Sequence, residues 1–580
     1  MWTNKNKYIL SKAYIDDFSY LKVIENRSID INAFCAAKHV LRIALHKNNY
    51  LNVKHFFDKY KNLIKVFQVL KSKFSKQYST KNISSFINCV KTNNFIDIYK
   101  YASGTLLNIR KQFNNKYIHN REQRLSYFDS DYFRVISSTP FRRLQDKTQL
   151  FLLDEFDHSR RRLAHSIEVS SVVEQIVGNS KMEIFINSAS INNKYLTFDL
   201  HDSISLCRTI GVLHDIGNPP FGHAGENTIN SFFRKKGDAL NRHGIGTKNP
   251  KYYNDLISFD GNAQSLRIAS KLMPFNNKRG ASLSAGVLGG IIKYPHCSDG
   301  KNKKIGYFLS EQSIIDDLCN LGVFIYNKRN PFACILEAAD DIAYLFSDLE
   351  DSIHKQVLSF EDFSAYFKNS KNPICLEFYN SLSRKFTKKT KNTKNRHETF
   401  EKTIKPLLYE LRENIIASLN YNNIGSMPCT GLNVYKHIVV NGVCEDFHLL
   451  NFSSYYEIVK LLNKIKTELV FSSKLIITNE IQGSKILDFL LNEMFEAIID
   501  ASVNIRKKTI KNSARIENSD YKNKILLLIP EKFLNNFFFE ADGASKQMVE
   551  YLKMRLIIDF ISGMTDNYAK RMYLELNAKK

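Results

Sequence analysis

Tryptophan occurs once in 580 residues, cysteine nine times and proline eleven times. The cysteines are scattered from Cys35 to Cys444 with no C-x-x-C pair. That spacing excludes a zinc ribbon and a disulfide-stapled scaffold, and the odd number fits reduced thiols in a cytosol. Long apolar runs are missing too. No uncharged apolar stretch reaches the roughly 18 residues that a spanning helix needs. The opening residues, MWTNKNKYILSKAY, lack the apolar core and small-residue cleavage site of a signal peptide. These absences predict a cytoplasmic protein with no membrane partner. There is no internal repeat and no long alternating apolar pattern, which excludes a solenoid and an extended β architecture.

Acidic residues are also short. Lys and Arg number 83 against 58 Asp and Glu, a net charge of +25. A surplus of that size suits polyanionic partners such as nucleotide phosphates or single-stranded DNA. It also suits compositional drift in an AT-biased genome, since Lys, Asn, Ile, Phe and Tyr abound. Hydrophobic residues make up 43%, enough for a sizeable core.

What is present is mostly helical periodicity, with apolar residues recurring at three and four. Three regions follow. Residues 1–110 read as a helical extension without a catalytic constellation. Residues 111–385 hold the specific polar residues, and 386–580 return to helical patterns. A short strand or two is expected near Val434–Gly442. The stretches Lys236–Asn254 (KGDALNRHGIGTKNPKYYN) and Ser383–Phe400 (SRKFTKKTKNTKNRHETF) read as loops, the second a solvated charge run.

The chemistry concentrates in Gly211–Glu226, GVLHDIGNPPFGHAGE. An apolar helix runs into adjacent His214 and Asp215, then breaks at a Pro-Pro turn. Further ligand types lie elsewhere: His165 in RRRLAHSIEV, and Asp340 in EAADDIAYLFSDLED. Two imidazoles and two carboxylates make a mixed N/O site for Mg, Mn, Fe, Co or Zn. On a helix, Asp340, Tyr344 and Asp348 share one face, while Asp341 points about 100° away. His223 follows the turn, with Glu226 three residues on. Such a pair can hold one tautomer and exchange protons near neutral pH. Glu226 is equally a sound first-turn acid for a helix N-terminus.

Upstream, FRRLQDKTQLF gathers Arg142, Arg143, Lys147 and Gln149. Arg160, Arg161 and Arg162 precede His165, and Arg162 can face the same site. Guanidinium groups beside a metal suit a polyphosphate; a basic surface stripe is the plainer reading of Arg160 and Arg161. Lys293 in GGIIKYP could reach a phosphate. Asp260, Asn262 and Gln264 in FDGNAQSLRI could contact a base or sugar, though a solvated loop explains them as well.

Taken together and in order from about Ile109 to the C-terminus, these motifs resemble the deoxyguanosine triphosphate triphosphohydrolases of the HD superfamily. HDIGNPPFGHAGE and EAADDIAY are the most specific of them. The resemblance implies an all-α fold with few short strands. It implies metal-dependent hydrolysis of dGTP to deoxyguanosine and intact triphosphate, with Mg or Mn the expected metal. It also implies roles: His165, His214, Asp215 and Asp340 as metal ligands, His223 and Glu226 as the catalytic pair. Gln149 would touch the deoxyribose 3′-hydroxyl, Tyr344 and Asp348 would line the sugar pocket, and Arg162 and Lys293 would contact phosphate. Such enzymes are oligomers, often hexamers. The long segment before Phe141 departs from the family pattern and bears on assembly. Other readings are a broad dNTP triphosphohydrolase, an HD nucleotidase releasing one phosphate, and a nucleic-acid-binding regulator on an HD scaffold.

Overall fold

The computed structural model describes residues 127–153, 160–178, 200–273, 280–298, 304–320, 323–324, 326–391, 395–419, 448–499 and 521–577. The segment 1–110 and the strand expected near Val434–Gly442 lie outside these residues. Within them the fold is all-α. Pairing between extended segments is confined to isolated bridges such as Thr148 with Arg161.

Twelve helices position the site: α1 Tyr127–Ile136, α2 Arg162–Val177, α3 Leu200–Leu213, α4 Gly222–Lys235, α5 Gly261–Arg267, α6 Pro331–His354, α7 Pro373–Thr390, α8 Arg396–Ser418, α9 Lys474–Ile499, α10 Glu531–Ala541, α11 Lys546–Ser562 and α12 Asp566–Asn577. Their starts follow ordinary capping chemistry. Asn330 accepts from Phe332 N at 2.9 Å with Pro331 in the first turn of α6, and Asp260 accepts from Asn262 N at 2.9 Å to open α5.

At the centre, α2 packs on α3 and α6. Val169, Val172, Val173 and Ile176 of α2 are buried with Leu206, Ile210 and Leu213 of α3. Each such side chain contributes roughly 1.5–3 kcal/mol of burial free energy. The approach of these two helices depends on Gly211, where a Cβ would lie 2.6 Å from Ser170 Cα. Without that close packing, the end of α3 could not bring His214 beside His165.

Both expected loops are largely helical. Gly237–Arg242 and Pro250–Leu256 are helical inside the first, because Leu240, Tyr252 and Leu256 are buried in the core. In the second, α7 continues to Thr390 and α8 begins at Arg396. Phe386 and Phe400 are buried there and both pack on Phe360, with Phe360 and Phe386 rings 3.8 Å apart. Apolar anchoring outweighs the lysine-rich composition. The region boundary drawn at residue 385 thus falls within helix α7.

Helix α11 is buried on every side from Glu550 to Ser562, so its charged residues need internal partners. Asp559 accepts from Arg267 Nε at 2.8 Å and Nη2 at 2.7 Å, and from Gln264 Nε2 at 2.9 Å. Arg267 also reaches Glu311 at 2.8 Å and Glu540 at 2.9 Å. Burial opposes charge on Glu540, but Arg267 and Lys271 outweigh it and hold the carboxyl at about 2, below its usual 4.5. Its stabilising contribution is therefore complete above pH 4.5 and is lost as pH falls toward 2. Glu540→Gln is expected to lower stability at pH 7 by a few kcal/mol and to flatten the acid limb of the stability curve. Urea unfolding at pH 7 and at pH 3 measures both.

Candidate active site

The end of α3 is where the sequence becomes unusual. His214 Nδ1 lies 2.7 Å from the Gly211 carbonyl, so that nitrogen carries the proton and donates. Nε2 is left with its lone pair, buried and without a hydrogen-bond partner. It lies 3.5 Å from Asp215 Oδ1 and 3.4 Å from Asp340 Oδ1. His165, fully buried on the first turns of α2, places Nε2 3.1 Å from the same Asp340 oxygen. Ligand atoms of His165, His214 and Asp215 all fall within 4.8 Å of one another. An orphaned imidazole lone pair facing two carboxylates and a second imidazole fits a divalent ion with mixed N/O ligands.

Two cations balance those carboxylates. Arg162 Nη1 donates to Asp215 Oδ2 at 2.8 Å and lies 3.4 Å from the Tyr344 hydroxyl. Lys293 Nζ donates to Asp340 Oδ2 at 2.9 Å. Burial alone would raise the Asp340 pKa, but Lys293 and His214 hold it well below the carboxylate range. The Tyr344 ring packs edge-on against His165 with centroids 4.5 Å apart. Its phenol is pushed up by burial. Asp341, by contrast, is exposed.

Gln149 is held beside the start of α2, because Arg162 N donates to the Lys147 carbonyl at 2.9 Å and Thr148 pairs with Arg161. Gln149 is buried, yet neither amide atom has a partner. A buried amide with four unused hydrogen-bonding positions is prepared for something the protein itself does not supply. Asp348, one turn beyond Tyr344, has its ordinary pKa raised by burial and faces Lys466 at 3.5 Å. That lysine opens a π-helical turn, Lys466–Val470, and also lies over the Tyr344 ring. Sequence reading missed it, since one lysine in NKIKTELV carries no spacing signal.

The turn after Asp215 is fixed from the far end of the chain. Phe221 has φ 63°, a left-handed conformation that is strained for a bulky residue. Its N–H donates to Asp566 Oδ1 at 3.0 Å, and Thr148 N donates to Oδ2 at 2.9 Å. Lys147 Nζ donates to the Asn218 carbonyl. These bonds hold the Pro-Pro turn, and α4 starts directly after it.

On α4, His223 Nδ1 lies 2.9 Å from Glu226 Oε2. Burial opposes charge on Glu226, but the His223 hydrogen bond and the His223 and Lys304 charges prevail, so its pKa is lowered. The ionised carboxylate makes Nδ1 the protonated nitrogen and leaves His223 Nε2 available. The His223 side chain is 72% exposed while that of Glu226 is 9% exposed, so the carboxylate is the fixed member. The other Glu226 oxygen accepts from Gly261 N at 2.8 Å.

Gly261 joins this pair to the His-Asp cluster. Asn218 donates to Asp215 Oδ1, and a Cβ at Gly261 would collide with Asn218 Oδ1 and sit 3.0 Å from Glu226 Oε1. Gly261→Ala is expected to lower turnover by at least about tenfold by displacing both side chains, while metal content is kept. Steady-state kinetics beside elemental analysis checks it.

Several polar candidates lie elsewhere. Gln264 is fully buried, donating to Asp559 and accepting from Arg555, so its amide is committed to the core. Asp260 caps α5 and faces Lys304 at 3.6 Å. Both belong to a buried helix rather than a solvated loop. Arg160 pairs with Glu350 at 2.6 Å and Asp351 at 3.2 Å on the surface of the bundle.

A helical scaffold presenting His…His-Asp…Asp around one point defines the class: residues 162–248 match the HD domain, a fold of metal-dependent phosphohydrolases. The chain is 33% identical over 469 residues to a deoxyguanosinetriphosphate triphosphohydrolase-like protein of Listeria innocua, covering 78% of this chain and 94% of that one. It is 27% identical to the deoxyguanosinetriphosphate triphosphohydrolase of Salmonella arizonae, over 78% of this chain and 94% of the other. A probable deoxyguanosinetriphosphate triphosphohydrolase of Pseudomonas aeruginosa matches at 27% with 92% of its length covered. The chain belongs to the deoxyguanosinetriphosphate triphosphohydrolase family. Among the described residues, no helix is long and apolar enough to cross a membrane.

Proposed function

We propose that this protein hydrolyses dGTP to deoxyguanosine and inorganic triphosphate. The observation that carries the reading is that His214 Nε2, next to the Asp215 that Arg162 bonds, and the buried Gln149 amide, on the segment whose Lys147 carbonyl accepts from Arg162 N, are both without partners. One suits a metal, the other a sugar hydroxyl, and the Arg162 guanidinium on Asp215 suits phosphate. His165, His214, Asp215 and Asp340 would hold a divalent ion, Mg or Mn being the hard choices for this donor set. Bound there, such an ion supplies Lewis-acid polarisation of a phosphoryl oxygen.

The protein's own groups supply the rest. Arg162 and Lys293 exchange part of their pairing with Asp215 and Asp340 for the triphosphate and offset charge as it spreads in the transition state. Gln149 accepts and donates at the 3′-hydroxyl. Tyr344, backed by His165 on one side and Lys466 on the other, limits the space at C2′, and Asp348 closes the sugar pocket. His223 moves a proton, taking it from the attacking water or giving it to the 5′-oxygen that leaves. Glu226 holds its ring and tautomer throughout.

The test is product analysis. Purified protein with Mn or Mg and each dNTP or GTP is resolved by ion exchange. Deoxyguanosine and intact triphosphate from dGTP alone is the expected result. Cleavage of all four dNTPs keeps the chemistry and removes the guanine preference. Orthophosphate as the product overturns the reading.

A further inference from the structure

Beside Ile216, the residue after Asp215, lies a cleft walled also by Pro140, Arg143, Lys147, Lys532 and Phe533. The cleft is open to solvent, and about 350 Å³ of empty space lies among and above these walls. Three of its walls are cationic. Arg143 uses one N–H, from Nη1 to the Gly563 carbonyl at 2.7 Å. Lys147 donates to the Ser562 carbonyl at 2.9 Å and to the Asn218 carbonyl. Lys532 Nζ makes no hydrogen bond or ion pair with the described residues; it rests over the Phe533 ring at 4.8 Å.

The acids nearby are already committed. Asp559 lines the cleft, but its oxygens accept from Arg267 and Gln264. Asp566 accepts from Thr148 and Phe221. The surroundings disfavour each cation: burial holds Lys147 at about 7, and burial with the neighbouring Arg143 charge holds Lys532 at about 8. Burial lowers Arg143 as well. A fully buried Lys147 and half-buried Arg143 and Lys532, gathered without a free carboxylate among the lining residues, lack a counter-charge.

We propose that this cleft is a second anion site, taking one tetrahedral phosphate-type oxyanion between Arg143, Lys147 and Lys532. Two carbonyl-bound cations would present their remaining N–H donors, and Lys532 would close the third side. Carbonyl bonding at the end of α11 explains why Arg143 and Lys147 point inward, but it leaves the ammonium of Lys532 without a role. The apolar walls, Ile216 and Phe533, exclude a heavily hydrated cation and raise the worth of each charged contact. The site touches the turn after Asp215: Ile216 follows Asp215, and Lys147 holds the Asn218 carbonyl. Occupancy would therefore stiffen the turn that carries His214 and Asp215, whatever substrate the His-Asp cluster receives.

The test uses the full chain. Crystals grown without sulfate or phosphate are soaked in selenate, and anomalous diffraction is measured at the selenium edge. A peak within contact of Arg143, Lys147 and Lys532 is expected. In solution, inorganic phosphate is expected to raise the melting temperature, and Lys532→Gln to cut that rise by about half or more. Lys293→Gln, which weakens phosphate capture at the His-Asp cluster, should leave the Lys532-dependent part intact. Absence of density in the cleft overturns the proposal. So does density there with an equal phosphate response in Lys532→Gln and wild type. Neither readout involves turnover, so failure here is separate from failure of the proposed reaction.

Discussion

Asp340→Asn is expected to lose stoichiometric metal and to lower turnover by at least about a thousandfold, the effect of removing several kcal/mol of transition-state stabilisation. Asp341→Asn, one residue along the same helix, is expected to keep its metal and most of its activity. The two side chains have the same chemistry and nearly the same position in the chain. They differ in direction. Asp340 Oδ1 lies within 3.4 Å of both His165 Nε2 and His214 Nε2, whereas Asp341 is exposed. Asparagine keeps the volume and a hydrogen-bond acceptor for Lys293, which spares the fold an unpaired buried ammonium. Alanine would combine both losses. Elemental analysis of the two proteins, purified in parallel, decides the assignment: equal metal content in both would remove Asp340 from the ligand set.

His223→Ala is expected to retain metal and to lower kcat by about 10²–10⁴, the range for a lost proton-transfer group. KM should change little, because His223 is not proposed to bind substrate before the proton moves. The side chain is 72% exposed, so its removal leaves no cavity and the melting temperature should stay near that of the parent. Glu226→Gln should fall between the two proteins. Glutamine can still receive the Gly261 N–H, but it no longer fixes the protonation of His223 Nδ1. Full activity of His223→Ala would transfer the proton to water or another group and leave Glu226 a purely structural acid at the start of α4.

Much of the candidate site is legible in the sequence because its residues sit at helix ends and on one helix face. His214 and Asp215 interrupt an apolar run, and the 340/344/348 spacing maps directly onto a shared face of α6. Arg162 was legible through its distance of one turn from His165. What was not legible depends on contacts between distant segments. Lys466 reaches Asp348 from a π-helical turn, Asn218 ties Asp215 to the Glu226 side, and Asp566 holds Phe221 across 345 residues. No local period encodes such a contact. The short helices in Lys236–Asn254 were hidden for a different reason. Gly, Asn and Lys dominate the stretch, and a few buried anchors such as Leu240 decide its conformation through tertiary packing.

The bond between Phe221 and Asp566 also places a condition on biosynthesis. A ribosome supplies this chain from the N-terminus, so the Gly211–Glu226 turn emerges long before the carboxylate that holds it in its left-handed form. Through Asp566 the same carboxylate steadies Thr148, beside Gln149. A nascent or prematurely terminated chain can fold α2 and α3 and still lack a finished catalytic turn. Any hydrolase activity that depends on this turn therefore waits for a polypeptide made through α12.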